Sequence, residues 1–226
     1  MRLPAGRRGD PFAGIPGRRL FIAVPLPEDA AALVAEVVDE VRGHGLPAGE
    51  RDVRWVRLDG LHLTLRFLGP TPDDRIAPTS AVVESIAASV PGPIDLELRG
   101  AGTFPPSGRP RAIWIGIGDG AAALSDVTTR LGDALVAAGW PADDRPFRPH
   151  LTLARSDGVA AGTLVAGRLA AAMEDRRIHG RAGNLGLFES VTGGGPARYV
   201  PVTLRRFGES PGDAPAVYHQ ATRDVT

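Results

Sequence analysis

The tetrapeptide His-Leu-Thr-Leu occurs twice, as His62-Leu63-Thr64-Leu65 and again 88 residues later as His150-Leu151-Thr152-Leu153. Each copy lies in a run that alternates apolar and polar residues, Leu61 to Leu68 (LHLTLRFL) and Pro149 to Ala154 (PHLTLA). Period-two alternation belongs to a strand with one buried face. The leucines of each copy therefore enter a core, and His and Thr share the opposite face. Packing needs the leucines but places no demand on His and Thr. A single His-Thr pair would ordinarily be a solvated surface feature. Two copies at matching positions point to a cleft in which both pairs act.

The segments around the motifs alternate strand and helix. Arg19 to Val24 (RLFIAV) is a short apolar run closed by Pro25, as in a buried strand. Pro27-Glu28-Asp29 opens a helix with acids in its first turn, and Gly43 closes it. A brief strand over Val53 to Val56, the first motif strand, a helix over Pro72 to Ser89 and a strand over Ile94 to Gly102 complete the first half. The second half runs through a strand at Ala112 to Ile117, a helix at Ala121 to Ala138, the second motif strand and a helix at Val159 to Glu174. Two closing strands are expected, Arg181 to Ser190 and Ala197 to Phe207, joined by the turn Thr192-Gly193-Gly194-Gly195. The repeated order predicts an α+β fold of two pseudo-symmetric lobes. Each is a mainly antiparallel sheet with helices on its outer face, and the lobes face each other across a central cleft. A doubly wound parallel sheet is the second architecture compatible with the alternation. Residues 18–207 are expected to form one bilobal domain of two interleaved repeats. The Gly-, Pro- and Arg-rich stretch 1–17 and the polar stretch 208–226 are expected to be flexible tails.

Composition narrows the chemistry. The chain has no cysteine and no lysine, so all 26 of its basic residues are arginine. A cysteine nucleophile, a disulfide framework and a cysteine-containing zinc site are excluded. So are a Schiff-base lysine, an adenylyl-carrying lysine and a GK[ST] phosphate loop. The 26 acids balance the 26 arginines, which argues against a long-range grip on duplex nucleic acid but not against a local arginine-lined cleft. No apolar run is long enough to span a membrane. Met1 to Gly17 is basic without the apolar stretch of a signal peptide. A cytoplasmic monomer without membrane contact or cofactor is expected.

Histidine, hydroxyl and arginine chemistry suits cleavage of a phosphodiester without a metal. One neutral imidazole takes a proton from an attacking hydroxyl, and the other, as imidazolium, gives one to the leaving oxygen. Thr64 and Thr152 are placed to bond the non-bridging phosphate oxygens. The rival reading is a metal site on His62 and His150, with Asp59 or Asp143-Asp144 reaching in from the preceding turns. Arg66 shares the alternation face of His62 and Thr64, which makes it a phosphate ligand or a solvated strand arginine. Arg155 falls on the leucine parity, yet at a strand end where alternation often breaks. Phe21 and Trp114, on the opening strands of the two halves, sit in apolar runs that favour core packing, with base stacking as the alternative. Arg109 and Arg111 flank Pro110 in a loop, where they either touch an RNA backbone or stay solvated. His44, His179 and His219 lie outside the repeat and are expected at the surface.

These residues resemble the two-histidine phosphoesterase superfamily, and within it the RNA 2′,3′-cyclic phosphodiesterases, also called 2′-5′ RNA ligases. The match rests on the two His-x-Thr-x motifs and their surroundings. Those are Arg19 to Val24, Trp55-Val56, Leu61 to Gly69, Pro110 to Gly116, Phe147 to Arg155, and Leu187 to Ser190 with Tyr199 and Leu204. The resemblance implies hydrolysis of a 2′,3′-cyclic phosphate at an RNA 3′ end to a 2′-phosphate, with RNA ends or cyclic-phosphate nucleotides as partners. The alternatives are a phosphodiesterase of the same superfamily acting on small cyclic nucleotides, an ADP-ribose cyclic phosphate or 2′-5′ oligonucleotides, and a non-catalytic RNA- or nucleotide-binding module. It implies reversible 2′-5′ joining without ATP through the same site. It also implies His62 as acid, His150 as base and a phosphate-side role for Arg155. Gly60 departs from the family, which often has a polar residue there.

Overall fold

A computed structural model describes residues 16–45, 53–157, 159–191 and 196–210. The chain order is β1 (Arg18–Pro25), α1 (Glu28–Gly43), β2 (Val53–Trp55), a single 3-10 turn at Leu58–Gly60, β3 (His62–Thr71), α2 (Asp73–Ser89) and β4 (Ile94–Phe104). It continues with β5 (Ala112–Ile117), α3 (Ala121–Ala137), β6 (His150–Ser156), α4 (Val159–Ala172), β7 (Arg177–Ala182), β8 (Asn184–Val191) and β9 (Arg198–Arg206). The stretches expected as tails lie outside the described residues apart from their inner ends, and so does the turn Thr192 to Gly195.

Two sheets form, ordered β3-β1-β8-β9 and β2-β6-β5-β4-β7. All their strand pairs are antiparallel, so the α+β architecture is the one adopted and the doubly wound parallel sheet is not. In each sheet the motif strand pairs with the strand that opens its half, β3 with β1 and β6 with β5. The halves interleave. β8 and β9, late in the chain, complete the first sheet, and β2 and β4, from the early half, complete the second.

One core serves both sheets. Leu63, Leu65, Leu151 and Leu153 are buried together with Leu20, Ile22, Val24, Ile113 and Ile115, which is the face that the alternation assigned to them. Each such side chain contributes about 2 kcal/mol by leaving water. The helices close this core. α1 buries Ala30, Val34, Val37, Val38 and Val41 and lies against α4 and β7. α2 lies against α3, β8 and β9, and α3 buries Leu124, Val127, Leu131 and Leu135. Among the described residues no helix is long and apolar enough to cross a membrane.

The strand expected over Arg181 to Ser190 is corrected. It is two strands in different sheets, β7 on the edge of the second and β8 inside the first, with Gly183 between them. The chain must leave β4 and reach β1 at this point, and one straight strand cannot pair with both.

Candidate active site

His62 and His150 open their strands, and the same local bond fixes both rings. His62 Nδ1 donates to the Gly60 carbonyl at 2.7 Å, and His150 Nδ1 donates to the Arg148 carbonyl at 2.6 Å. A carbonyl only accepts, so Nδ1 carries the proton of the neutral ring and Nε2 is the nitrogen left for chemistry. The partner stands two residues upstream in both copies. Within the described residues no hydrogen bond engages the hydroxyl of Thr64 or of Thr152.

Beyond each threonine the strand bulges. On β3, Thr64 pairs with Ala23 and Arg66 with Ile22, so one extra residue stands opposite a single step of β1. On β6, Thr152 pairs with Trp114 and Ala154 with Ile113, the same irregularity at the same place. A bulge turns the following residues to the other face. Arg155 thereby leaves the leucine parity and joins the face of His150 and Thr152, opposite Ala112. Phe67 joins the face of His62 and Thr64, opposite Phe21.

The same bulge corrects the placement of Arg66. Alternation put it in the cleft; the structure turns it away, opposite the core residue Ile22. Its guanidinium donates to the Pro141 carbonyl and lies 3.3 Å from Asp143, with 12% of the side chain exposed. Arg66 thus ties the first motif strand to the loop that leads into His150. Asp143 bonds Arg145 as well. Burial alone would raise its carboxyl, but Arg145 and Arg66 hold it below the usual carboxylate range.

Aromatic rings wall the histidines. Tyr199 of β9 meets His62 edge-on at 4.8 Å between centroids, and Phe104 of β4 meets His150 edge-on at 4.8 Å. A side chain at residue 60 would bring its Cβ to 3.0 Å from Tyr199, so Gly60 admits this ring as well as supplying the carbonyl for His62. Phe21 is corrected as a base-stacking residue. It is 2% exposed, with His62, Phe188, Tyr199 and Phe67 around it, and has no free face. Trp114 lies over Gly102, where any Cβ would strike the indole at 2.5 Å, and it borders Phe104 and His150. It is half-buried and walls the His150 side. Phe67 is 55% exposed and offers an open ring face beside Phe21, which in turn borders His62. Tyr199, Phe104 and Phe67 were not singled out from sequence. For Phe67 the signal was the strict parity of the motif strand plus a bulge, which no residue type announces; Tyr199 and Phe104 arrive by long-range pairing.

Burial and Arg155 set the electrostatics. The charge of Arg155 bears on His62, His150 and Tyr199 alike, so it lies near all three. Burial lowers the His62 pKa to about 4, against the Gly60 bond that raises it, with Arg155 and His150 lowering it further. Burial and Arg155 also lower His150. Burial raises Tyr199 while Arg155 opposes the rise. A cleft that disfavours protonated imidazole in this way favours an anion, whose charge would restore both protons. Among the described residues no three His, Asp or Glu side chains gather as metal ligands would.

The model of the 2′-5′ RNA ligase superfamily matches residues 26–193, which span both motifs. The chain belongs to the 2′-5′ RNA ligase superfamily. Within it, the chain is similar to RNA 2′,3′-cyclic phosphodiesterases from several organisms. It is 35% identical to the one from Geobacillus stearothermophilus over 60% of this chain and 41% of the relative. It is 32% identical to that of Aeropyrum pernix over 55% of this chain and 66% of the relative, and 36% identical to that of Thermus thermophilus over 61% and 68%. The chain therefore spans less than two thirds of the length of the first two. A crystal structure of a Thermus thermophilus protein superposes with a TM-score of 0.66 at 26% identity, covering 84% of this chain and 98% of that one. Escherichia coli LigT, solved with 3′-AMP, shares the fold at a TM-score of 0.61 and 24% identity, covering 85% of this chain and 99% of its own. In this member of the superfamily the two motif strands thus carry equivalent histidines, threonines and bulges, and differ at the residue each bulge delivers, Phe67 or Arg155.

Proposed function

We propose that this chain opens the 2′,3′-cyclic phosphate at an RNA 3′ end and leaves a 2′-phosphate. His150 takes a proton from water as its oxygen bonds to phosphorus. The bond from phosphorus to the 3′-oxygen breaks, and His62 gives that oxygen a proton. The division of roles follows solvent access. The Nδ1 bond of His150 is open to solvent, where water arrives, and that of His62 is partly buried beside Phe21 and Tyr199. The anionic substrate raises the lowered pKa of His62 and so supplies the proton-bearing form. Arg155 and the hydroxyls of Thr64 and Thr152 hold the phosphate oxygens as charge moves onto them. Phe67 receives the terminal base on its exposed face. With a 5′-hydroxyl in place of water, the same steps join a 2′ end to a 5′ end without ATP.

The observation that carries this reading is the matched pair of histidines, each with Nδ1 fixed by the carbonyl two residues upstream, with the charge of Arg155 bearing on both. The curated relatives named RNA 2′,3′-cyclic phosphodiesterase support the substrate class. The test is incubation with a cyclic-phosphate-ended oligonucleotide in EDTA, followed by identification of the end group. A 2′-phosphate is expected, and an unchanged cyclic end or a 3′-phosphate would overturn the proposal.

A further inference from the structure

β2 gives the second sheet a fifth strand at the open edge of its motif strand; among the described residues the first sheet has none beside β3. It is three residues long and pairs with β6 so that Arg54 stands directly opposite Arg155. Val53 and Trp55 pack on the core, and Arg54 turns outward with 66% of its side chain exposed. Directly opposed side chains on antiparallel strands share a face and lie about 5 Å apart at Cβ, and like charges so placed repel. The pair therefore stands at the cleft as two guanidinium groups. Asp157, on the same parity as Arg155, lies 2.7 Å from Arg54. That ion pair is open to solvent at both ends and is easily exchanged for a stronger anion. Among the described residues Arg155 has no acidic partner.

We propose that Arg54 binds the phosphodiester on the 5′ side of the terminal nucleotide, so that this cleft selects RNA ends over cyclic mononucleotides. The inference rests on the proposed reading of the cleft and names its preferred form of substrate. With the terminal base against Phe67 on the first sheet and the cyclic phosphate between the histidines, the preceding nucleotide leaves over the second sheet. Arg155 and then Arg54 lie along that way. Adjacent strands are about 5 Å apart, and two long arginine arms easily bridge from one phosphate to its neighbour. The planar guanidinium fork fits phosphate oxygens in pairs. A chain with no net charge needs such a local pair to hold a polyanion.

The experiment compares kcat/KM for a cyclic-phosphate-ended trinucleotide with kcat/KM for a 2′,3′-cyclic nucleoside monophosphate that lacks a 5′-phosphate. The wild type prefers the trinucleotide. Arg54→Ala reduces that preference about tenfold, through KM, as expected for one charge-assisted contact. Arg54→Lys keeps part of it, and Asp157→Asn, which frees Arg54, increases it. The slope of log KM against log salt for the trinucleotide falls by ~0.7 in Arg54→Ala, one phosphate contact on a single strand. Loss of Arg181, an equally exposed arginine on β7 paired with Asp95, leaves preference and slope unchanged. If the wild type acts on both substrates and Arg54→Ala keeps its preference and its salt slope, the subsite is overturned and the cleft reading stands. A wild type inactive on both overturns the cleft reading and the subsite with it.

Discussion

Phe67 and Arg155 occupy the same position in the two sheets: each follows the threonine of its motif by three residues, and each reaches the cleft face through a bulge. The two halves of the cleft are thus alike in their histidines and threonines and unlike in what flanks them. One side offers an exposed aromatic ring, the other a cation. Under the proposed function, a site built this way would bind a nucleotide in one sense, with the base towards Phe67 and the phosphate towards Arg155.

That asymmetry separates the effects of the two residues. Arg155→Ala should lower kcat by about 100-fold or more, because the lost donors act on charge developing at phosphorus. Arg155→Lys should recover little, since a point charge cannot replace a bidentate fork. Phe67→Ala should act mainly on binding, raising KM by about tenfold, in line with the loss of one base stack. Phe67→Trp should restore it. Steady-state kinetics on one cyclic-phosphate oligonucleotide checks all four. Equal effects on kcat from Phe67→Ala and Arg155→Ala would contradict the assignment.

Arg66 gives the opposite kind of prediction. It faces away from the cleft and holds Pro141 and Asp143 in the loop before His150. Arg66→Ala should destabilise the fold by about 1–3 kcal/mol through the loss of charge-assisted bonds at a partly buried site. It should lower kcat several-fold with KM little changed. A large rise in KM at unchanged stability would return Arg66 to the phosphate. Denaturant unfolding together with kinetics decides the matter.

Burial makes the fold sensitive to acid through His62. Its pKa falls from the ordinary histidine value of 6.5 to about 4 on folding, so the unfolded chain binds the proton first. Stability is full above about pH 6.5 and is lost as pH falls towards 4, below which the folded ring also takes up its proton. His62→Asn keeps a donor for the Gly60 carbonyl and removes the titration. Its melting temperature should fall less between pH 7 and pH 4.5 than that of the wild type, by an amount corresponding to about 2 kcal/mol. Parallel curves for the two proteins would show that His62 is not held neutral by the fold.

The alternation around Leu63, Leu65, Leu151 and Leu153 made their burial legible in advance, because period two has one structural meaning over that length. The order of strands and helices was legible for the same reason. The bulges were not. Leu65 and Leu153 are ordinary strand residues, and nothing in LHLTLRFL or PHLTLA marks an extra residue. Parity therefore sent Arg66 to the cleft and Arg155 to the core, and only its place at a strand end and the resemblance to known phosphoesterases spoke for Arg155. Tyr199 and Phe104 come to the histidines from strands far along the chain, and long-range pairing leaves no local pattern. The split between β7 and β8 was hidden because both pieces carry strand-like residues and only the demands of two sheets divide them.

The most direct test of the account is the pH dependence of kcat/KM on a cyclic-phosphate oligonucleotide in EDTA, for the wild type, His62→Ala and His150→Ala. Both histidine pKa values are lowered in the free cleft, so the wild type should give a bell whose optimum lies below about pH 6.5. Each substitution should cost about 10²–10⁴-fold, the usual contribution of one positioned proton transfer. His150→Ala, lacking the base, should lose the rising acidic limb and retain the falling one. His62→Ala, lacking the acid, should lose the falling limb and rise to a plateau. A bell that survives in either variant, or a wild-type rate in either, would contradict catalysis by two histidines as acid and base.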